Sequence, residues 1–402
     1  MSRAERSPTA PVALSGPTSG SSKVEAQTVP VFRPLLEAEE LTAATEALEL
    51  GWLGMGSYVA EFERAVASFV EAGERHVAAV STGHAALHLG LLVAGVGPGD
   101  EVITPSFNNV TDFQAILATG AEPVFCDIRD DTLCIDVDRA RELVTPRTKA
   151  LIAMDYASSL CDHEQVQALA EHHDLRVIHD AAHSFGSAWR GRMVGSFSDM
   201  TMFSFDPVKT ITSIDGGALV VRTAEELELL QEMRLVGMGQ PSSLMYRNER
   251  AWTYDVRTIG YRYHLANLHA AIGLAQINKI GRIGETRRRA ARGLSARLRA
   301  VPQVRVPPGD FEDTTPFLYY VRVAADERQP LREHLTLHGI DTGIHWQPGH
   351  RFSLFRHAHR GPLEVTDRVA DEILSLPLHS EMDEQTVARV ADGVASFYED
   401  GR

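Results

Sequence analysis

Apolar positions recur along the chain with two periods. Over residues 37–50, and again where Phe62, Ala65, Val66 and Phe69 fall at the i, i+3, i+4, i+7 spacing, the pattern predicts helices with one buried stripe. From residue 76 the texture changes to short apolar runs bounded by turn or cap residues: HVAAVS at 76–81, EVIT at 101–104, PVFCD at 123–127, ALIAM at 150–154, RVIHD at 176–180, MTMFSF at 200–205 and ALVV at 218–221. Helical stretches, such as 85–93 and 163–172, separate most of them. Strands that are apolar on both faces and alternate with helices predict an α/β domain on a mainly parallel, seven-stranded sheet.

Past a helix over 266–279 the order changes. An Arg-rich helix over 283–298 leads to a strand pair near Val304 and 318–323, a helix over 331–338 and a last helix over 386–398. This suits a smaller α+β domain with its boundary near residue 281, so that 24–280 form the large domain and 281–402 the small C-terminal one. Residues 1–23 are rich in Ser, Pro, Gly, Thr and Ala without either period, and read as a disordered tail.

Composition narrows the function classes. A chain of 402 residues with 44% hydrophobic content is globular and long enough for two cores. With 39 Lys plus Arg against 54 Asp plus Glu, the net charge is −15, which argues against a nucleic-acid partner. The one dense basic stretch, Arg287, Arg288, Arg289 and Arg292, reads as the solvated face of its helix. No apolar run approaches the roughly 18 residues of a membrane span, and the N-terminus lacks the apolar core of a secretory signal. Three cysteines without a C-x-x-C provide neither a disulfide framework nor a cysteine zinc site. The expected compartment is the cytoplasm.

Three segments carry candidate chemistry. Ser81-Thr82-Gly83-His84-Ala85 ends an apolar strand and opens a helix, a turn whose N–H groups and dipole favour a phosphate, although such turns also serve packing alone. Asp180 closes the strand RVIHD and faces the crevice at the strand ends, either as a functional acid or as a cap. His179 and His183 have the outline of an H-x3-H metal pair, but His179 closes a strand and the spacing aligns two ligands only on a helix, so no metal is expected. Finally, Lys209 sits in an apolar, hydroxyl-rich loop beyond Ser204, where desolvation favours its neutral amine, a nucleophile toward carbonyls. A phosphate turn, an acid at a strand end, then a hydroxyl and a lysine are the parts that pyridoxal 5′-phosphate requires.

The order of motifs is more specific. D-A-A-H-S-F-G, G-R-M-V-G-S-F-S-D, F-S-F-D-P-V-K-T-I-T-S-I-D-G-G and H-L-A-N-L-H-A-A-I-G-L-A-Q, with G-W-L-G-M-G-S-Y-V-A-E-F-E before them and G-I-H-W-Q-P-G-H after, resemble the DegT/StrS family of sugar aminotransferases from about Val31 to the C-terminus. The resemblance implies a PLP-dependent transferase of fold type I, a homodimer with shared active sites, and pyridoxamine 5′-phosphate in the half-reaction. Lys209 would be the Schiff-base lysine and proton shuttle, Asp180 the partner of the pyridine nitrogen, and His183 would lie against the ring. Ser204 with Thr82, Gly83 and His84 would hold the phosphate. A related branch of dehydratases has histidine in place of this lysine, so Lys209 implies transamination.

Several positions depart from the family pattern. Asn109 stands where an aromatic residue commonly stacks over the cofactor, with Phe107 as a possible substitute. Arg262 stands where an asparagine commonly reaches the partner subunit's phosphate, and Ser158 replaces a usual glycine. Arg247 and Arg250 are candidate contacts for a nucleotide diphosphate, or a solvated loop, and His345 resembles the segment near the sugar, or a turn of the small domain. The motifs around Lys209 and Tyr156 resemble members that aminate C4 of nucleotide-linked 4-keto-6-deoxysugars, such as TDP-4-keto-6-deoxyglucose in antibiotic aminosugar biosynthesis, with L-glutamate as donor in a ping-pong cycle. The alternatives are a C3 keto-sugar or cyclitol aminotransferase on the same scaffold, and a noncatalytic PLP-binding regulatory protein.

Overall fold

The computed structural model describes residues 28–239 and 242–400. The tail expected over 1–23 lies outside the described residues. In chain order the strands of the large region are β1 (His76–Val80), β2 (Glu101–Pro105), β3 (Glu122–Cys126), β4 (Thr148–Met154), β5 (Arg176–Asp180), the minimal hairpin β6 (Ala188–Trp189) and β7 (Arg192–Met193), β8 (Met200–Ser204) and β9 (Gly217–Val221). Apart from the hairpin they form one seven-stranded sheet in the order β1-β9-β8-β5-β4-β2-β3. Strand β9 runs antiparallel to both neighbours and every other pairing is parallel. Six strands therefore end on the same edge, where open α/β sheets bind their ligands.

Apolar runs give this result because both faces are covered. All five residues of β2, β8 and β9 are buried. On one face runs α3 (Gly83–Val93), apolar nearly all round and packed on β8, β9 and the helix α4 (Val110–Ala118). On the other, α2 (Ser57–Phe69) packs with α1 (Ala38–Glu49) against the helix Asn267–Ile277. There Phe62 lies so close that a Cβ on Gly273 would come within 2.7 Å of its ring.

The helix Ile280–Leu298 carries the chain between cores. Ile280 and Ile283 join the cluster around Phe62 and Phe203, whereas Ala290, Leu294 and Leu298 join a second cluster with Tyr319, Leu331 and Val390. Two expectations need correcting here. Strand β10 (Tyr319–Arg322) pairs with β11 (Ile373–Leu376), and the segment near Val304 contributes only one bridge, Arg305 to Arg322. Pro307 and Pro308 follow at once and lack the N–H groups that a ladder needs. Arg289 and Arg292 are exposed, but Arg287 is only 1% exposed. It lies on the apolar stripe of its helix, four residues after Ile283, and donates to the carbonyls of Pro316, Phe317 and Leu378 and to Ser380 Oγ. With no carboxylate partner, burial lowers its pKa to about 10. Among the described residues no helix is long and apolar enough to cross a membrane.

Candidate active site

A cavity of about 600 Å³ opens at the carboxyl ends of the parallel strands. Its cradle begins where β1 gives way to α3. Thr82 caps that helix, its hydroxyl accepting from the Ala85 N–H at 2.9 Å, so the chain turns sharply at Gly83. Opposite stands Ser204, the last residue of β8. A Cβ on Gly83 would lie 2.8 Å from Ser204 Cβ and 2.9 Å from its Oγ, and one on Gly217 would lie 2.4 Å from the Thr82 carbonyl oxygen. The two glycines thus bring a hydroxyl against the first N–H groups of a helix, a site suited to phosphate.

Asp180 closes β5 and is 4% exposed, its Oδ1 accepting from the Ala182 N–H at 3.0 Å. Burial raises its pKa, opposed by that N–H and by Lys209. Because side chains alternate along a strand, His179 faces away from it. His179 bonds to Asp155 at 2.6 Å and Ser198 at 3.1 Å, whereas His183 lines the cavity, so the two histidines diverge. Asp155 also accepts from Ser184 Oγ and the Cys161 N–H and lies 3.3 Å from His163, which accounts for that buried cluster as a hydrogen-bond network.

The loop after β8 folds back on itself. Phe205 N–H donates to the Gly216 carbonyl, Ser213 N–H to the Phe205 carbonyl, and Lys209 N–H to the Asp206 carbonyl. This holds Lys209 at the cavity, with Nζ 4.4 Å above the centre of the Phe317 ring. The residue as a whole is half-buried, but its amine end is enclosed. Burial lowers its pKa against the pull of Asp180, Asp206 and Asp112. On the same Phe317 ring His183 stacks at 4.2 Å, and its Nδ1 accepts from the Ala157 N–H at 3.2 Å. Burial, then Lys209 and His345, hold His183 well below its usual range, so it is neutral with its proton on Nε2. His345 is bonded to Ser375 Oγ at 2.8 Å, takes the Tyr156 hydroxyl on its carbonyl, and is lowered to about 4 by burial and Lys209.

The same cavity therefore gathers Thr82, Gly83, His84, Asn109, Asp180, His183, Ser204, Lys209 and His345. It does not gather Arg247, Arg250 or Arg262. Arg247 is exposed beside Glu249, Arg250 lies 5.1 Å over the Trp52 ring, and Arg262 is exposed, its backbone bridged to Leu235. Asn109 lines the wall, but its Oδ1 is used to cap α4, accepting from the Thr111 N–H and hydroxyl. Phe107 does not replace the missing ring: it is fully buried against Tyr156, behind the wall. Sequence reasoning missed Phe32, Asp112, Phe317 and Trp346 as wall residues. Only Asp112 left a signal, as the one charged residue between Glu101 and Glu122.

Pyridoxal 5′-phosphate fits these residues: its phosphate would lie in the Gly83 and Ser204 cradle, Asp180 would face the ring nitrogen and Lys209 the aldehyde. Comparison with known proteins agrees. The spore coat polysaccharide biosynthesis protein SpsC of Bacillus subtilis is 32% identical over 376 residues, covering 91% of this chain and 96% of that one. The aminotransferase TlmJ of Streptoalloteichus hindustanus superposes with a TM-score of 0.85 at 31% identity, over 92% of this chain and 99% of TlmJ. DesV of S. venezuelae, solved in complex with a ketimine intermediate, superposes at 0.84 and 30% identity, over 93% and 99%. The model of the DegT/DnrJ/EryC1/StrS aminotransferase family matches residues 34–395. A match of that extent, on a chain whose lysine, acid and cradle meet in one cavity, makes this protein a member of the DegT/DnrJ/EryC1/StrS aminotransferase family.

Proposed function

We propose that this sugar aminotransferase uses pyridoxal 5′-phosphate to move the amino group of L-glutamate onto C4 of a nucleotide-linked, dTDP-type 4-keto-6-deoxysugar in a ping-pong cycle in the cytoplasm. The observation that carries the transaminase reading is the joint placement of Lys209, Asp180 and the Gly83–Ser204 cradle on one cavity. The motifs around Lys209 and Tyr156 support the C4 preference, and three buried free cysteines suit a reducing compartment.

When bound, the cofactor supplies an amino-group carrier and a sink for the electron pair left as a proton leaves the substrate carbon. The protein's residues divide the remaining work. Lys209, lowered by burial, reaches its neutral form readily, so Nζ serves as the attaching nucleophile and then takes and returns the proton at the substrate carbon. Asp180 keeps a proton on the ring nitrogen through its negative charge. Ser204 Oγ and the N–H groups at the start of α3 hold the phosphate. His183, Phe317 and Trp346 wall the pocket against water, and His345, on the same wall, is placed to meet the sugar.

Arg247, Arg250 and Arg262, being outside the cavity of their own chain, suit a homodimer in which they reach the partner's site and its nucleotide diphosphate. The exposed apolar residues Trp252, Tyr254, Val256 and Ile259 beside them support the same reading. Sedimentation at micromolar concentration then gives twice the chain mass.

The decisive experiment is the visible spectrum of the purified protein with pyridoxal 5′-phosphate, before and after excess L-glutamate. A visible band that glutamate bleaches, and that Lys209→Ala never forms, is expected. A band that no amino donor changes overturns the transaminase reading, and no band overturns the roles of Lys209 and Asp180. Product NMR with 4-keto and 3-keto nucleotide sugars then fixes the carbon aminated.

A further inference from the structure

Asp112 stands in the first turn of α4, a place where the helix dipole and solvent ordinarily stabilise a carboxylate. This one is not solvated. It is 1% exposed and forms part of the cavity wall. Asn108 Nδ2 donates to its Oδ2 at 2.7 Å, whereas Oδ1 is buried with no donor in reach. Asp180 lines the same cavity wall, and its carboxyl is the charged group that acts most strongly on Asp112. Two ionised carboxylates have no proton to share, and two carboxyls so close in a buried site do not both ionise. Burial first, then Asp180, push Asp112 well above the usual carboxylate range, against Asn108 and Lys209.

We propose that Asp112 is a positioning residue: as a neutral carboxylic acid it donates a hydrogen bond to Asp180, so that the pair carries one negative charge and Asp180 is held toward the cofactor's ring nitrogen. The role rests on the cofactor reading above. Asp112 rather than Asp180 keeps the proton, because Asp180 already accepts from the Ala182 N–H and has Lys209 near it, both of which favour its ion. The other charged groups around the pair are Asp155, behind Asp180, and Asp206, which acts on Lys209. One consequence concerns Lys209. It faces one negative charge from this wall instead of two, so its neutral amine is reached at lower pH.

The test has two arms. In cofactor-free protein at pH 7, infrared difference spectra between wild type and Asp112→Asn should contain the carbonyl stretch of a protonated carboxyl that the variant lacks. In absorbance titrations with pyridoxal 5′-phosphate, Asp112→Leu, similar in size but without a donor, should bind about tenfold more weakly, the loss expected for one hydrogen bond to a charged group. Asp112→Asn, which keeps a neutral donor, should restore binding to within about twofold of wild type. Absence of the infrared band, or equal binding by the two variants, overturns the proposal. Should the leucine variant not fold, the infrared arm and the asparagine titration still decide. If the wild type takes up no cofactor while the infrared band is present, the cofactor reading has failed and the positioning role falls with it, although the shared proton stands.

Discussion

Gly83 and Ser204 decide how closely a phosphate can approach the start of α3. Since a Cβ at residue 83 would lie under 3 Å from Ser204 Cβ, Gly83→Ala should push the start of α3 away from β8, costing about 1–3 kcal/mol of stability and weakening cofactor binding by about tenfold or more. A titration of the visible band measures this. Asp112 gives a second test at this scale. Its folded pKa is raised, so from the unfolded value of about 3.9 upward the folded state holds a proton that the unfolded state has released, and stability falls as pH rises through that window. Urea denaturation of cofactor-free Asp112→Asn should therefore lack this downward component, its stability gaining on wild type by up to about 1.4 kcal/mol per pH unit for one proton as pH increases.

At the scale of elements, one buried ion pair ties α2 to the sheet. Glu63 of α2 accepts from the Ala79 N–H of β1 and from Arg234, which also donates to the Ala79 carbonyl and to the Tyr246 hydroxyl. Burial lowers the pKa of Arg234, but Glu63 outweighs it and the net shift is upward. Glu63→Gln leaves a guanidinium buried without its counter-charge, and should cost about 3–5 kcal/mol in urea denaturation. Arg287 plays the opposite part, a cation satisfied by carbonyls alone. Its bonds to Pro316 and Phe317 hold the ring on which Lys209 and His183 rest.

The whole molecule stores an acid sensitivity. His264, His345 and His379 are each lowered to about 4, burial being the largest cause, with Arg262 and Arg234 acting on the first, Lys209 on the second, and Arg287 and Arg33 on the third. In the unfolded chain they titrate near 6.5, so as pH falls from about 6.5 toward about 4 the unfolded state gains protons that the fold refuses, and stability drops. Thermal melts at pH 7 and pH 5 should show this loss, and His379→Asn, which cannot charge, should recover part of it. An unchanged midpoint across that interval would refute the assignment.

Local sequence was sufficient for whatever depends on neighbours along the chain. The apolar runs determined the seven strands, and Asp180, Ser204 and the Thr82–Gly83 turn were visible because each ends a strand or opens a helix, with Lys209 in the loop just beyond Ser204, so strand direction alone sends them to one edge. Tertiary structure decided what depends on contacts between distant segments. It placed Phe317 beneath Lys209 and His183, set Asp112 against Asp180, made Asn109 a cap instead of a platform, and kept three arginines out of the cavity. The Arg287 expectation failed for the same reason: charge density along a sequence does not reveal whether a helix position faces water or a set of buried carbonyls. Pairing β10 with β11 required closing a loop of about fifty residues, whereas the proline-blocked segment near Val304 was the nearer and wrong choice. Periodicity records which side of an element is apolar, and only packing determines what that side meets.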